Sequence, residues 1–276
     1  MTSLASLPPL REIVTKYQIW PEKGLGQHFL FDFNILDRIV RVAGDLSTIT
    51  VMEIGPGPGG LTRALLAGGA KHLIVIEQDH RCIEALQEIK EIVGEPLEIV
   101  HGDAMVADEM ALTEGKARPF ALVANLPYNI STQLIAKWIG IADNISTMVL
   151  MVQKEVAQRL IAKPHTKHYG RLSVLAQWRC ECYIAFDVNP SNFVPPPKVM
   201  SSILVLNPRS SPIAVDQAIL EKVVKAAFSQ RRKMVKAGLK QISANVDAWL
   251  EAAGIDGTLR AENLSVEDYC RLSNTL

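Results

Sequence analysis

The sequence predicts an α/β fold. A largely parallel sheet with helices on both faces occupies residues 1–207, and a small all-helical domain occupies residues 208–276. Three observations predict it. From Thr50 to Val152 short apolar runs alternate with amphipathic stretches, the pattern of strands joined by crossover helices. The first of those runs ends in a glycine-rich turn that opens a helix. Beyond Asn207 the strand-like runs stop, and only helical periodicity remains.

The elements follow in order. Val51-Met52-Glu53-Ile54 is the first strand, and Leu61 to Leu66 the helix after its turn. Leu73-Ile74-Val75-Ile76 is the second strand, followed by a helix over Cys82 to Ile92 with apolar residues near a 3.6 period. Leu97 to Val100, Phe120 to Ala124 and Ile145 to Val152 are the third, fourth and fifth strands. Near-continuous apolar runs of this length suit strands covered on both faces. Leu172 to Ile184 and Ser201 to Leu206 also have strand composition and flank Pro195-Pro196-Pro197, which predicts an antiparallel pair at the sheet edge. Pro208-Arg209-Ser210-Ser211-Pro212 reads as a linker. Helices are expected over Ile219 to Phe228, Met234 to Ile242, Val246 to Ala253 and Val266 to Leu272. Trp20, Trp138, Trp178 and Trp249 are dispersed and expected in the core.

Net charge is zero, from 29 basic and 29 acidic side chains, but the charge is segregated. Residues 1–150 carry 12 basic and 18 acidic groups, residues 151–240 carry 15 and 5, and residues 241–276 carry 2 and 6. Neutrality of the whole therefore does not exclude a polyanionic partner for the basic block. The N-terminus has no early basic residue and no long apolar run, so no signal peptide is expected. No run reaches the roughly 18 apolar residues that span a bilayer. Cys82, Cys180, Cys182 and Cys270 form no CxxC pair, so free thiols in a reducing cytoplasm are expected, and no metal site.

Gly55-Pro56-Gly57-Pro58-Gly59-Gly60 follows the first strand. Glycines let backbone turn sharply and approach a ligand, and the helix beyond them offers free N–H donors. Gly55, Gly57 and Gly60 fit a dinucleotide fingerprint, whereas Gly55, Gly57 and Gly59 fit the loop of S-adenosylmethionine enzymes. Glu77 ends the second strand about 20 residues on, where a carboxylate can accept both ribose hydroxyls of a nucleoside. Asp103 follows the third strand, where a carboxylate can accept from an adenine amine. No P-loop lysine follows the glycines, which disfavours ATP hydrolysis.

Asn125-Leu126-Pro127-Tyr128 follows the fourth strand. The nitrogen of an adenine N6 amine is a poor nucleophile because its lone pair is delocalised into the ring. The Asn125 side-chain oxygen and a neighbouring backbone carbonyl can both accept its hydrogens, drawing them out of plane and localising the lone pair. Pro127 fixes the turn and biases Leu126 towards extended geometry, which aims its carbonyl. Tyr128 offers a ring on which an extruded base can stack.

The chain resembles the KsgA/RsmA family, the small-subunit ribosomal RNA adenine dimethyltransferases, over nearly its whole length. Besides the glycine loop and Asn125 to Thr132, the resemblance includes Gly26-Gln27-His28-Phe29-Leu30, Gln153 to Ala157, Tyr169 to Ser173, Phe193 to Ser202 and Phe228 to Lys233. It implies a Rossmann-like catalytic domain and transfer of four methyl groups from S-adenosyl-L-methionine to two adjacent adenosines near the 3′ end of 16S rRNA, in the small ribosomal subunit. It implies that His28, Leu30, Gly55, Glu77, Asp103, Ala104 and Asn125 contact the cofactor. It also implies that Asn125, Leu126, Pro127 and Tyr128 form the catalytic turn, and that Phe193 is a second aromatic wall opposite Tyr128. Many relatives carry Asn where this chain has His28. A side-chain contact there would make cofactor affinity pH-sensitive, and a backbone contact would not.

Arg231, Arg232 and Lys233, with Lys236 and Lys240, are expected on a helix after Phe228 as RNA phosphate contacts. Lys154, Arg159, Lys163 and Lys167 extend the same block. A monomer is expected. Two other functions fit the chemistry less well. Large-subunit rRNA methyltransferases typically carry Ile at the position of Leu126. An assembly factor with only secondary catalysis would not need Asn125, Tyr128, Glu77 and Gly55 intact.

Overall fold

The computed structural model describes residues 4–20 and 28–276. Gly26 and Gln27 of the resemblance lie outside the described residues. The sheet is built on five parallel strands: β2 (Thr50–Ile54), β3 (His72–Glu77), β4 (Leu97–His101), β5 (Phe120–Asn125) and β6 (Ile145–Gln153). Two antiparallel strands, β7 (Cys180–Val188) and β9 (Ser201–Pro208), complete the order β4-β3-β2-β5-β6-β9-β7. The expected antiparallel edge is therefore present, with β9 lying between β6 and β7.

Side chains alternate between the two faces with the strand period of two. Met52, Ile54, Ile74, Ile76, Leu122 and Leu150 enter one core. Val51, Leu73, Val75, Ala121, Val123 and Val149 enter the other. The first core is closed by the short α5 (Glu109–Leu112), through Met110 and Leu112, by α6 (Ser131–Gly140), through Leu134, Ile135 and Trp138, and by α7 (Lys154–Leu160), through Val156, Ala157 and Leu160. The second is closed by α2 (Phe33–Ala43), α3 (Gly60–Ala67) and α4 (His80–Val93). Aspartates set several helix starts: Asp32 and Asp79 each accept from a backbone N–H of the first turn, satisfying a donor that has no partner within the helix.

Two elements precede the sheet, α1 (Leu10–Lys16) and the short β1 (Phe29–Leu30). β1 pairs antiparallel with β8 (Phe193–Val194), so Leu30 faces Phe193 across a two-stranded ladder. This clip ties the segment after residue 27 to the proline cluster far along the chain.

The C-terminal part is helical: α9 (Gln217–Ser229), α10 (Val235–Leu239), α11 (Val246–Ala253) and α12 (Val266–Asn274). Its core does not stop at the linker. Ala162, Tyr169, Val174 and Trp178 share one cluster with Leu220, Val224, Trp249 and Tyr269.

Four expectations are corrected. Leu172 to Ile184 is not one strand: α8 (Arg171–Arg179) covers its first part and β7 begins at Cys180. The helix expected over Met234 to Ile242 is the shorter α10, whose preceding Met234 bridges to Arg260. Arg231 to Lys233 do not lie on a helix, because α9 ends at Ser229 and Arg231 is drawn aside by ion pairing. Trp20 is 60% exposed rather than in the core, whereas Trp138, Trp178 and Trp249 are buried.

Candidate active site

In an open, doubly wound sheet a crevice forms where strand order reverses direction, at the carboxyl ends of the strands. Here that point lies between β2 and β5. A cavity of about 970 Å³, including its open mouth, occupies it. His28, Gly55, Glu77, Asp103, Ala104, Asn125, Leu126, Pro127 and Tyr128 all line it. Gly57 of the glycine loop lines it too, and so do Phe29, Gln78, Met105 and Ile130, to which the sequence reading gave no role. Most of these are loop neighbours of the residues it did name.

The glycine loop needs its glycines. Gly57 has φ +55°, and a Cβ there would meet the Phe29 ring at 3.0 Å. Gly59 has φ +87°, and a Cβ there would stand 2.5 Å from Ile89 Cδ1 of α4. Both positions combine a left-handed backbone with a crowded side-chain position that a Cβ could enter only by displacing a neighbour.

Glu77 is buried and strongly bonded. Its Oε2 accepts from Gly57 N–H at 2.9 Å, and its Oε1 accepts from Gln78 and Asp79 N–H at 2.8 Å each. Burial raises its pKa, against the pull of those three donors. A carboxylate offers about four lone-pair sites. Three are occupied by backbone donors, which leaves Glu77 capacity for a further one. Asp103 holds Met105 N–H with Oδ1 at 2.8 Å, while its Oδ2 has no partner among the described residues.

Asn125 ends β5. Its side-chain nitrogen donates to the His28 backbone carbonyl at 3.1 Å. A carbonyl can only accept, so this contact fixes which end of the amide is nitrogen and leaves Oδ1 as an acceptor. No hydrogen bond claims the Leu126 carbonyl among the described residues. Pro127 O receives Ile130 and Ser131 N–H, which closes the turn and starts α6.

Tyr128 is half-buried. Its hydroxyl is 2.6 Å from Ser201 Oγ, and burial raises its pKa. The His28 ring stacks on it at 5.4 Å between centroids, and His28 Nδ1 is 2.8 Å from Pro195 O. Because that partner is a carbonyl, Nδ1 carries the hydrogen. His28 thus reaches the site through both its backbone and its side chain.

Two residues sit differently from expectation. Phe193 is buried at 2% exposure in the core beside Leu30 and does not line the cavity, because β8 turns its ring inward. The ring facing Tyr128 is that of His28. Leu30 lines a smaller adjoining space with Glu53 and Pro58. The basic cluster is also divided. Arg231 pairs with Glu262 at 2.8 Å and donates to Lys167 O at 2.6 Å, whereas Arg232 and Lys233 are exposed with no side-chain partner among the described residues. Lys154 is paired with Asp187, and Lys236 with Asp247. Arg159, Lys167, His168 and Arg231 line a shallow surface hollow where the two parts of the chain meet. Among the described residues no group of three or more potential metal ligands comes together.

Known proteins resemble the chain throughout. It is 50% identical over 280 residues to ribosomal RNA small subunit methyltransferase A of Afipia carboxidovorans, covering 100% of this chain and 98% of that protein. It is 51% identical over 275 residues to the same-named protein of Brucella suis, covering 99% and 98%. Among solved structures, a dimethyladenosine transferase from Plasmodium falciparum superposes with a TM-score of 0.75 at 30% identity, over 89% of this chain and 96% of that one. The 23S rRNA methyltransferase ErmE superposes with a TM-score of 0.66 at 31% identity, over 90% and 99%. The family described as ribosomal RNA adenine dimethylase matches residues 21–276, and the chain belongs to that family.

Proposed function

We propose that the protein dimethylates the N6 amines of two adjacent adenosines near the 3′ end of 16S rRNA, with S-adenosyl-L-methionine as methyl donor. The observation that carries this reading is the orientation of Asn125: its nitrogen is committed to His28 O, so its oxygen faces the reaction as an acceptor. Names of relatives at about half identity favour the small-subunit substrate over the large-subunit one, which matches at 31%.

The residues present suit the cofactor. A buried acid at Glu77, a free acceptor at Asp103 Oδ2 and apolar walls from Ile54, Ile76 and Ile130 match a ribose, an exocyclic amine and a purine face. Once bound, the cofactor supplies an electrophilic methyl group. The protein's own part is positional. Asn125 Oδ1 and the Leu126 carbonyl accept the amine hydrogens, which localises the nitrogen lone pair towards the methyl. The Tyr128 ring offers a stacking surface to the base on the face that His28 does not cover. No strong base is required, because the alkylated amine is acidic enough to lose its proton to water. Arg232 and Lys233 hold rRNA phosphates. No helix among the described residues is long and apolar enough to cross a membrane, and four unpaired cysteines suit a reducing cytoplasm.

The deciding experiment is radiolabelled methyl transfer to unmethylated small subunits, with the modified nucleosides identified by mass spectrometry. Dimethyladenosine at two adjacent positions is expected. Label confined to large-subunit rRNA, or to no RNA, would overturn the reading.

A further inference from the structure

Lys137 lies in the last turn of α6. The structure gives its ammonium three partners: Ala104 O at 2.9 Å, Ala107 O at 2.5 Å and Glu109 Oε1 at 2.8 Å. An ammonium has three N–H donors, so every one is used. Glu109 is 3% exposed and also accepts from Trp138 Nε1 at 2.7 Å. Two adjacent side chains of α6 therefore grip the segment that follows β4.

That segment is the wall of the cavity. Asp103 and Ala104 line it, and Asp103 starts a tight turn whose carbonyl accepts Val106 and Ala107 N–H. The helix that grips it begins at Ser131, directly after the turn carrying Asn125 to Tyr128. Apart from the Trp138–Glu109 bond, nothing else on α6 reaches this wall through charged hydrogen bonds among the described residues.

We propose that Lys137 is a positioning residue that fixes the Ala104 wall against the catalytic turn, and so sets how tightly the site selects an adenine-bearing cofactor. The physical basis is that three charge-assisted bonds hold two backbone carbonyls and the Glu109 carboxylate at defined points. Without them the segment keeps only its own turn and the Trp138–Glu109 bond, neither of which holds the Ala104 and Ala107 carbonyls, and Asp103 Oδ2 no longer meets an exocyclic amine at a fixed place. This inference rests on the cavity being the cofactor site.

The test compares binding of S-adenosylhomocysteine with that of S-inosylhomocysteine, in which the exocyclic amine is replaced by oxygen. Calorimetry on the wild-type protein is expected to favour the adenine form by about tenfold or more, the discrimination of one polar contact. Lys137→Met is expected to weaken the adenine form by about tenfold and to bring the two ligands to near-equal affinity. A folded Lys137→Met protein that keeps the wild-type preference overturns the proposal, even if its melting temperature is lower. Should Lys137→Met fail to fold because Glu109 is left buried without its cation, Glu109→Gln/Lys137→Met removes that charge and is expected to show the same lost preference. In the wild-type protein, S-adenosylhomocysteine is expected to slow amide exchange over residues 104–109 and 131–138 together. Slowing confined to the first segment also overturns the coupling. A wild-type protein that binds neither ligand is a separate result: it removes the cofactor reading itself before any variant is measured.

Discussion

The side-chain nitrogen of Asn125 donates to the backbone carbonyl of His28 at 3.1 Å, across 97 residues of chain. One contact thereby orients the acceptor at the end of β5 and anchors the N-terminal segment over the cavity. His28 is itself held by Pro195 O and by Tyr128, so the anchor is tied to the clip formed by β1 and β8.

Asn125→Ala removes the acceptor proposed to meet the substrate amine. Turnover is expected to fall by about 100-fold or more, the usual loss for an oriented group acting in the transition state. Binding of rRNA is expected to stay nearly intact, since Asn125 touches no phosphate in this reading. Single-turnover methyl transfer and filter binding on the same preparation separate the two. Equal losses in both would contradict the assigned role.

Gly57→Ala tests the glycine loop. The new Cβ would meet the Phe29 ring at 3.0 Å on a backbone with φ +55°. The left-handed conformation alone costs about 1–2 kcal/mol for a residue with a side chain. Gly57 N–H also bonds Glu77, so displacement of the loop reaches the proposed ribose acceptor. Affinity for S-adenosylhomocysteine is expected to fall by about tenfold, with rRNA affinity unchanged. Calorimetry showing wild-type affinity would mean the loop adapts without moving Glu77.

The fold was largely legible because its strands are continuous apolar runs between punctuating glycines and acids. α8 was not. Val174 and Trp178 face the helical core while Ala176 faces the sheet core, so the helix is apolar on two sides and loses the one-sided stripe that marks a helix. Nine residues of such composition look like a strand. The cavity residues from Gly55 to Tyr128 were legible because they follow strand ends, where the topology collects them. Contacts between segments distant in the chain were not. The pairing of Leu30 with Phe193 turns that phenylalanine inward, and no local pattern announces it. Lys137 was invisible for a different reason: a lysine in the last turn of a helix is ordinarily solvated, and only the folded chain shows three acceptors converging on it.

The three basic residues after α9 should behave unequally. Arg232 and Lys233 are exposed and unpaired, whereas Arg231 is spent on Glu262 and Lys167 O. Arg232→Ala/Lys233→Ala is expected to lower the slope of log affinity against log salt by about 1.5, at 0.7–0.9 per phosphate contact, with no change in melting temperature. Arg231→Ala is expected to lower the melting temperature and to change the slope less, because it removes one of the contacts that fasten the 163–168 loop to the helical part. Equal slope changes for all three residues would show that Arg231 leaves its partners to bind RNA.

Glu53 supplies a pH test of the core beneath the glycine loop. It is fully buried, and burial pushes its carboxyl up to about 8, against the pull of the Thr62 hydroxyl that donates to it at 2.7 Å. Nearby Glu77 pushes in the same direction. Below the ordinary value of 4.5 both the folded and the unfolded chain hold the proton, so Glu53 adds no pH dependence there. Between 4.5 and about 8 the unfolded chain has released it and the folded chain has not. The folded state then binds more protons, so stability falls as pH rises through that window and levels off above it. At about 1.4 kcal/mol per pH unit the cost reaches a few kcal/mol. Glu53→Gln keeps an acceptor for Thr62 and carries no proton to lose. Its melting temperature is expected to decline less than that of the wild type between pH 5 and pH 9, at roughly 2–4 °C per kcal/mol for a chain of this size. Parallel curves for the two proteins would mean that water reaches Glu53 and solvates its charge.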